Sequence, residues 1–265
     1  MSLDATRDCF EVLGRTDPLW AVLTRRQCKH NRWDPLALFE TGRQEVREVM
    51  EYLDQLGLIM GRRRALDFGC AVGRLTQALC EHFEEVVGVD IAESFLAEAR
   101  RYNHHGNRCR YVLNTTDSLS QFRDDTFDFV YSNISLQHSP PEHAVKYVAE
   151  FLRILRPEGI AVFQLPAGRT PFDGTIAWLV RRFRWRFIVP LKHSWKRLRG
   201  DMVIPMYTVP RVEIERVVTA HGGRLADVVQ NSAAGRGWLS FRYCVIKSTL
   251  LRQGCHEVVS LAGSQ

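Results

Sequence analysis

Two carboxylates and two glycines carry the chemistry that the sequence offers first. Arg64-Ala-Leu-Asp67-Phe-Gly69-Cys70-Ala71-Val-Gly73-Arg74-Leu-Thr76 reads as a short apolar run closed by an acid, a glycine turn, and a helix with apolar spacing at Leu75, Ala78 and Leu79. Roughly 20 residues beyond the turn, Glu85-Val-Val-Gly-Val-Asp90 reads as a second buried strand ending in a carboxylate, followed by Ile91. In an open parallel sheet both strand ends face one crevice, where a glycine turn lets a ligand touch the backbone and an acid accepts two ribose hydroxyls. The pattern therefore implies a nucleoside-containing cofactor. A dinucleotide would need glycines where Gly69, Ala71 and Arg74 stand, so NAD and FAD are disfavoured, and no phosphate loop ending in Gly-Lys-Ser/Thr is present.

The elements that must hold these residues alternate strand and helix, as a parallel sheet with right-handed crossovers requires. Arg110–Leu113 reads as a third strand, Asp125–Asn133 contains a fourth, and Leu155–Gln164 holds a helix end, a Pro-Gly turn and a fifth. Ser139-Pro-Pro-Glu142 has the form of a capping box opening a helix whose buried stripe is Ala144, Val148, Phe151, Leu152 and Leu155. Residues 1–60 read as a helical cap. Val46, Val49, Met50, Leu53 and Leu56 lie on one helical face, and Trp33–Gly42 is expected to be a loop of apolar anchors. A last helix over Pro210–His221 and two strands, Arg224–Gln230 and Trp238–Lys247, complete the chain before a tail beyond Leu250, with Gly235-Arg-Gly237 suiting the turn between them.

With Asp67-Phe-Gly69-Cys70-Ala71-Val-Gly73 in place, the chain resembles the class I S-adenosylmethionine-dependent methyltransferases. Their first motif is an acid, one residue, then Gly-x-Gly-x-Gly; Ala71 replaces the middle glycine, with its backbone expected to keep a negative φ. The resemblance covers roughly residues 62–168. It implies an α/β, Rossmann-like, seven-stranded, mostly parallel sheet with an antiparallel terminal hairpin, a helical N-terminal cap over the cofactor and a basic helical insert after the fifth strand. The corresponding domains are a cap over 1–60, a core over 61–168, the insert over 169–205, a completing helix and hairpin over 206–250, and a tail over 251–265. It further implies S-adenosylmethionine as cofactor and S-adenosylhomocysteine as product. Gly69, Cys70, Ala71 and Gly73 would pass under the methionine, Asp67 would face its amino group, and Arg74 would pair with its carboxylate. Asp90 and Ile91 would hold the ribose, the loop of Asn114, Thr115 and Thr116 would lie along the adenine, with Asp117 as an alternative contact, and Ser132 and Asn133 would line the cofactor.

Methyl transfer from a sulfonium is an in-line displacement that mainly requires alignment of two molecules and exclusion of water. A hydroxyl or amine acceptor also needs a base, and His138, at the carboxyl end of the fourth strand with an unperturbed pKa of about 6.5, is the candidate. Glu142, His143 and His193 are weaker ones. The seven cysteines are scattered without Cys-x-x-Cys spacing, which disfavours a disulfide framework or a metal site. Asn/Asp-Pro-Pro-Tyr/Phe is absent, which disfavours methylation of an exocyclic base amine.

Net charge is +6, yet eight Lys/Arg and no Asp/Glu fall between Thr175 and Gly200, so the basicity is local. A helix from Ile176 would set Ile176, Leu179, Val180, Phe183 and Phe187 against Trp178, Trp185, Arg181 and Arg182. Such a segment reads as a lid, as a contact with an anionic membrane through 176–199, or, less favoured, as a nucleic-acid contact. No apolar run approaches the ~18 residues of a membrane span and the start is not a secretory signal, so a cytoplasmic protein, peripheral to the membrane, is expected. The reading is a methyltransferase acting on a small-molecule, lipid or glycan acceptor, with oxygen favoured because the fourth-strand region resembles the group that includes ubiquinone-biosynthesis O-methyltransferases. The alternatives are a tRNA methyltransferase and a non-catalytic, cofactor-binding partner subunit.

Overall fold

The computed structural model describes residues 3–170 and 204–249, so residues 171–203 of the insert expected over 169–205, His193 among them, and the tail expected over 251–265 lie outside the described residues. Seven strands, β1 (Arg64–Phe68), β2 (Glu85–Asp90), β3 (Cys109–Leu113), β4 (Phe127–Ser132), β5 (Leu155–Arg169), β6 (Gly223–Asn231) and β7 (Trp238–Lys247), form one sheet in the order β3-β2-β1-β4-β5-β7-β6. β1 to β5 run parallel, while β7 is antiparallel to both β5 and β6. The chain leaves β1 toward β2 and β3, then returns to β4 on the other side of β1. The strand order therefore reverses at the carboxyl ends of β1 and β4, where such sheets bind ligands.

Helices cover both faces, which is why β1, β2 and β4 are apolar without alternation. Helices α3 (Pro35–Gln55) and α4 (Arg74–Leu79) bury Val46, Leu53, Leu75 and Leu79 with Ala65, Phe129 and Val162. Helices α6 (Pro141–Ile154) and α7 (Arg211–Ala220) bury Val148, Phe151, Ile214 and Val218 with Leu66, Val130 and Phe163. Near the N-terminus, α1 (Leu3–Thr16) and α2 (Pro18–Val22) pack with α5 (Glu93–Arg101) in a third cluster that contains Leu13, Leu19, Trp33 and Phe95.

Three local expectations are corrected. Residues 35–42 are the first turns of α3, because Asp34 caps the helix by accepting from the Leu36 and Ala37 amides and Pro35 fits the first helical position. Gly42 sits inside that helix because a Cβ there would run into the Arg74 carbonyl; its absence lets α3 and α4 cross closely. The capping box before α6 does not form, since Pro140 is the cap residue and Ser139 falls one position outside. The Pro-Gly turn before the fifth strand is taken into β5 as an irregularity, with Phe127 opposite Leu155 and Phe129 opposite Ile160.

Candidate active site

The turn after β1 is stitched to β2: the Gly69 and Cys70 amides donate to the Val89 carbonyl at 2.8 and 3.0 Å. Gly69 has φ +79° and a Cβ there would overlap the Ser135 hydroxyl, so only glycine allows this approach. Gly73, at φ +80°, is the left-handed residue from which α4 starts, packed under the Tyr111 hydroxyl. Ala71 departs from the expected negative φ and stands at +45°. Its amide is held in that conformation by a 2.9 Å hydrogen bond to Asp90 Oδ2.

Asp90 is the best-defined ligand group in the crevice. Its Oδ1 accepts from the Ala92 amide at 3.0 Å while Oδ2 takes that of Ala71, which fixes the carboxylate plane at the carboxyl end of β2. Burial pushes its pKa up to about 6, against the pull of these backbone amides. Each oxygen keeps an acceptor lone pair, the requirement for two ribose hydroxyls. The residues therefore fit a nucleoside.

A cavity of about 560 Å³ opens here and gathers Gly69, Cys70, Ala71, Arg74, Asp90, Ile91, Asn114, Asn133 and His138. Five of the expected site residues do not line it. Asp67 lies beneath the turn, its Oδ2 accepting from Thr76 Oγ1 at 2.7 Å and its Oδ1 buried without a hydrogen-bond partner; burial raises its pKa to about 7. Through Oδ2 it braces the turn from beneath. Gly73 shapes the turn from below. Thr115 and Thr116 are exposed, and only Asn114 of that loop reaches the cavity. Ser132 is fully buried and donates to the Phe68 carbonyl at 3.0 Å, closing the ends of β4 and β1 together. Asp117, the alternative in the adenine loop, is turned to Lys146 and His143.

Arg74 lines the cavity and pairs through Nη2 with Glu45 Oε2 of α3 at 2.7 Å, while its buried Nε has no hydrogen-bond partner; the side chain is 4% exposed. Glu45 Oε1 also accepts from Tyr131 at 2.9 Å and from Asn133 Nδ2 at 2.7 Å, so one carboxylate of the N-terminal helix organises the ends of β4 and α4. Sequence reasoning missed Glu45 because a glutamate on an amphipathic helix looks like any solvated one.

His138, in a 3-10 turn after β4, is joined at Nδ1 to the Pro205 carbonyl at 2.7 Å. Its Nε2 lies 3.2 Å from Gln137 Nε2, and the Phe10 ring meets it edge-on with centroids 5.5 Å apart. Burial lowers its pKa, which favours the neutral ring. The expected base therefore has both nitrogens engaged.

The rest of the cavity wall comes from stretches that motif reading did not single out. Leu3, Thr6 and Phe10 of α1, Ala21–Arg25, Ile134, Ile204, Met206 and Ala233–Gly235 line it together with Asp90 and Gly69. Tyr147 of α6 also lines the cavity and donates to the Thr116 carbonyl at 2.6 Å. The helical spacing of Leu3, Thr6 and Phe10 was the available signal, but spacing shows an apolar face and not what it covers.

A family model described as a methyltransferase domain matches residues 66–163. The ubiquinone biosynthesis O-methyltransferase of Hahella chejuensis is 25% identical over 169 residues, 63% of this chain and 69% of that protein. A malonyl-[acyl-carrier protein] O-methyltransferase of Halorhodospira halophila is 30% identical over 149 residues, 56% of this chain and 48% of its own length. Magnesium protoporphyrin IX methyltransferase from Synechocystis PCC 6803, solved with bound SAH, shares the fold with a TM-score of 0.61 at 19% identity over 92% of this chain and 99% of that one. The matched domain runs from β1 into β5 and contains the turn and carboxylate that suit a nucleoside, and these residues form a methyltransferase domain of the S-adenosylmethionine-dependent kind.

Proposed function

We propose that the protein methylates an oxygen of a small, largely apolar acceptor that enters beneath the N-terminal helices. The observation that supports this reading is the continuity of one cavity from Asp90 and Gly69 to a wall of Leu3, Phe10, Ile134, Ile204 and Met206. A donor site and an apolar acceptor site then share one volume, from which side chains of α1 and the Ala21–Arg25 stretch exclude water. S-adenosylmethionine, when bound, supplies an electrophilic methyl group on sulfur. Asp90 anchors the ribose, the Gly69–Ala71 backbone lets the donor lie close to the sheet, and Asn114 and Tyr147 bound the adenine side. Arg74, tied to Glu45, braces the wall. The relatives that act at oxygen in ubiquinone and malonyl-carrier chemistry support the choice of atom.

Residues 176–199 carry tryptophans and arginines without acids, a composition suited to the headgroup region of an anionic membrane; a lipid acceptor reached from that surface is part of the same proposal. Among the described residues no helix is long and apolar enough to cross a membrane.

The test is calorimetric titration with S-adenosylmethionine, S-adenosylhomocysteine and NADH, followed by transfer of a tritiated methyl group to fractionated lipid extract. Binding of the first two ligands, abolished by Asp90→Ala, with label in an organic-soluble product is expected. Label found in tRNA instead would replace the small-acceptor reading. Donor binding without transfer to any fraction would favour a partner subunit.

A further inference from the structure

We infer that the protein carries a second ligand site, at the end of the sheet remote from the donor crevice, where Arg64, Arg110 and Arg123 take a small phosphorylated molecule. A groove of about 860 Å³ lies there, lined by Arg64, Arg100, Arg110 and Arg123 together with Tyr111 and Phe122. No carboxylate is found among the described residues that line it.

The strands explain how the arginines gather. Arg64 opens β1 and Arg110 is the second residue of β3; the register sets Arg64 beside Glu85 and Arg110 beside Val87 of β2. Alternation then turns Arg64, Glu85, Val87, Arg110 and Val112 to one face of the sheet. Val87 and Val112 belong to the apolar core on that face, so the groove has an apolar floor under a cationic rim. Arg64 stands at the other end of β1 from Phe68 and the donor turn, about 13 Å along the strand.

The charges around the groove do not cancel. Glu85 Oε2 is shared between two guanidiniums, 3.5 Å from Arg64 Nε and 3.7 Å from Arg110 Nη2, both longer than a charge-assisted hydrogen bond. Arg64 Nε is buried without a hydrogen-bond partner. Arg100 has its own carboxylate, Glu93 Oε1 at 2.5 Å. Among the described residues no ion pair holds Arg123, since its neighbours Asp124 and Asp125 are taken by Arg153 and Lys247 at 2.8 Å each. Burial draws the Arg64 pKa down and Glu85 holds it up, while Arg110, Arg156 and Arg63 add to the fall, so Arg64 feels three like charges against one carboxylate.

Four guanidiniums thus meet two carboxylates, and the surplus matches a phosphate monoester, which carries a charge of about −1.5 to −2 at pH 7. A carboxylate ligand would neutralise only half of it. Guanidinium forks also fit phosphate oxygens in pairs, and the half-buried Tyr111 and Phe122 offer an apolar wall to the group that bears the phosphate. The donor crevice selects the other way, because its anchor, Asp90, is itself an anion.

The experiment titrates phenyl phosphate and benzoate, which share a ring and differ in charge, into the full-length protein at fixed ionic strength. S-adenosylhomocysteine is present throughout to occupy the donor crevice. Binding of phenyl phosphate at least about tenfold tighter than that of benzoate is expected, and equal affinities would overturn the inference. Arg110→Gln combined with Arg123→Gln removes two exposed cations and should weaken phenyl phosphate at least about tenfold with S-adenosylhomocysteine affinity unchanged. Glu85→Gln releases Arg64 and Arg110 from their shared carboxylate and should tighten phenyl phosphate about threefold or more. Unaltered phenyl phosphate binding in either variant would count against the site. A short single-stranded RNA that displaces phenyl phosphate, with an affinity falling steeply as salt rises, would assign the groove to a nucleic-acid backbone and overturn the small-ligand reading.

Discussion

The floor and the wall of the crevice are built by opposite rules. The floor is one continuous stretch, residues 64–92, whose polar work is done by backbone: the Gly69 and Cys70 amides on Val89, and the Ala71 and Ala92 amides on Asp90. The wall is assembled from α1, the Ala21–Arg25 stretch, the turn after β4, the segment at 204–206 and the turn between β6 and β7, and it acts through side chains. Floor substitutions should therefore abolish donor binding together with stability, whereas wall substitutions should touch the acceptor alone.

The largest effect that this contrast predicts is at Gly69. Gly69→Ala would place a methyl group against Ser135 at φ +79°, combining a left-handed penalty with a steric one, about 3 kcal/mol together. A melting temperature lowered by several degrees and no calorimetric signal for S-adenosylmethionine are expected. Retention of near-native binding would show that the donor does not approach this turn.

Asp90→Asn comes next. An amide keeps the shape but turns one N–H toward a backbone N–H, because Ala71 and Ala92 both donate to this group. Donor affinity should fall about 100-fold, in line with ~1–3 kcal/mol for an unsatisfied buried donor. The wild-type protein should show a milder version with pH. The pKa of Asp90 is raised to about 6, so its carboxylate protonates as pH falls through that value and one oxygen ceases to accept. Donor binding should be level above neutral pH and about tenfold weaker one pH unit below the pKa. Stability of the free protein responds to the same groups with the opposite sign. Asp67 and Asp90 both have raised pKa values, so between the ordinary carboxylate range and about 7 the folded chain holds more protons than the unfolded one. Their contribution to stability therefore declines as pH rises through that window. Asp67→Asn should flatten the decline, and denaturant titrations at several pH values would reveal it.

On the wall, Phe10→Ala should weaken acceptor use while leaving donor affinity within about twofold, since the ring lines the cavity and packs on His138 and not on the turn after β1. A large loss of donor binding would erase the distinction between floor and wall.

The same division explains what the sequence disclosed. Strands β1 and β2 and the turn between them were legible because their job is local: a run of apolar residues, a glycine where φ must be positive, an acid at the strand end. Asp90 was legible on the same ground. Glu45 was not, because its three partners, Arg74, Tyr131 and Asn133, lie about 30 to 90 residues away and no periodicity encodes them. The fate of His138 was equally hidden. Its type and position were visible, but its availability is decided by Gln137, Gln164, Ser240 and Pro205, which are brought together only by β5, β7 and the segment at 204–206. The burial of Asp67 was hidden for a related reason: an acid in the first motif reads as a ligand contact, and no pattern in the sequence shows that Thr76, nine residues on, donates to it from below.

The smallest effect concerns Ala71, the residue that departs from the glycine pattern, and its sign is informative. A left-handed alanine costs about 1–2 kcal/mol, and glycine would remove that cost while giving back about 0.5–1 kcal/mol of unfolded-chain entropy. Some of the remainder is lost with the methyl group, which packs against the cluster of Leu19, Trp33 and Val72. Ala71→Gly should therefore stabilise the protein by about 0.5 kcal/mol, a rise of about 1–2 °C in melting temperature, with donor affinity little changed because the amide still reaches Asp90. Destabilisation by about 1 kcal/mol would mean that the backbone here has negative φ after all. In that event the Ala71 amide would not be held by Asp90, and the carboxylate would be free to rotate in the crevice, which would remove the main reason that the floor, unlike the wall, tolerates so little change.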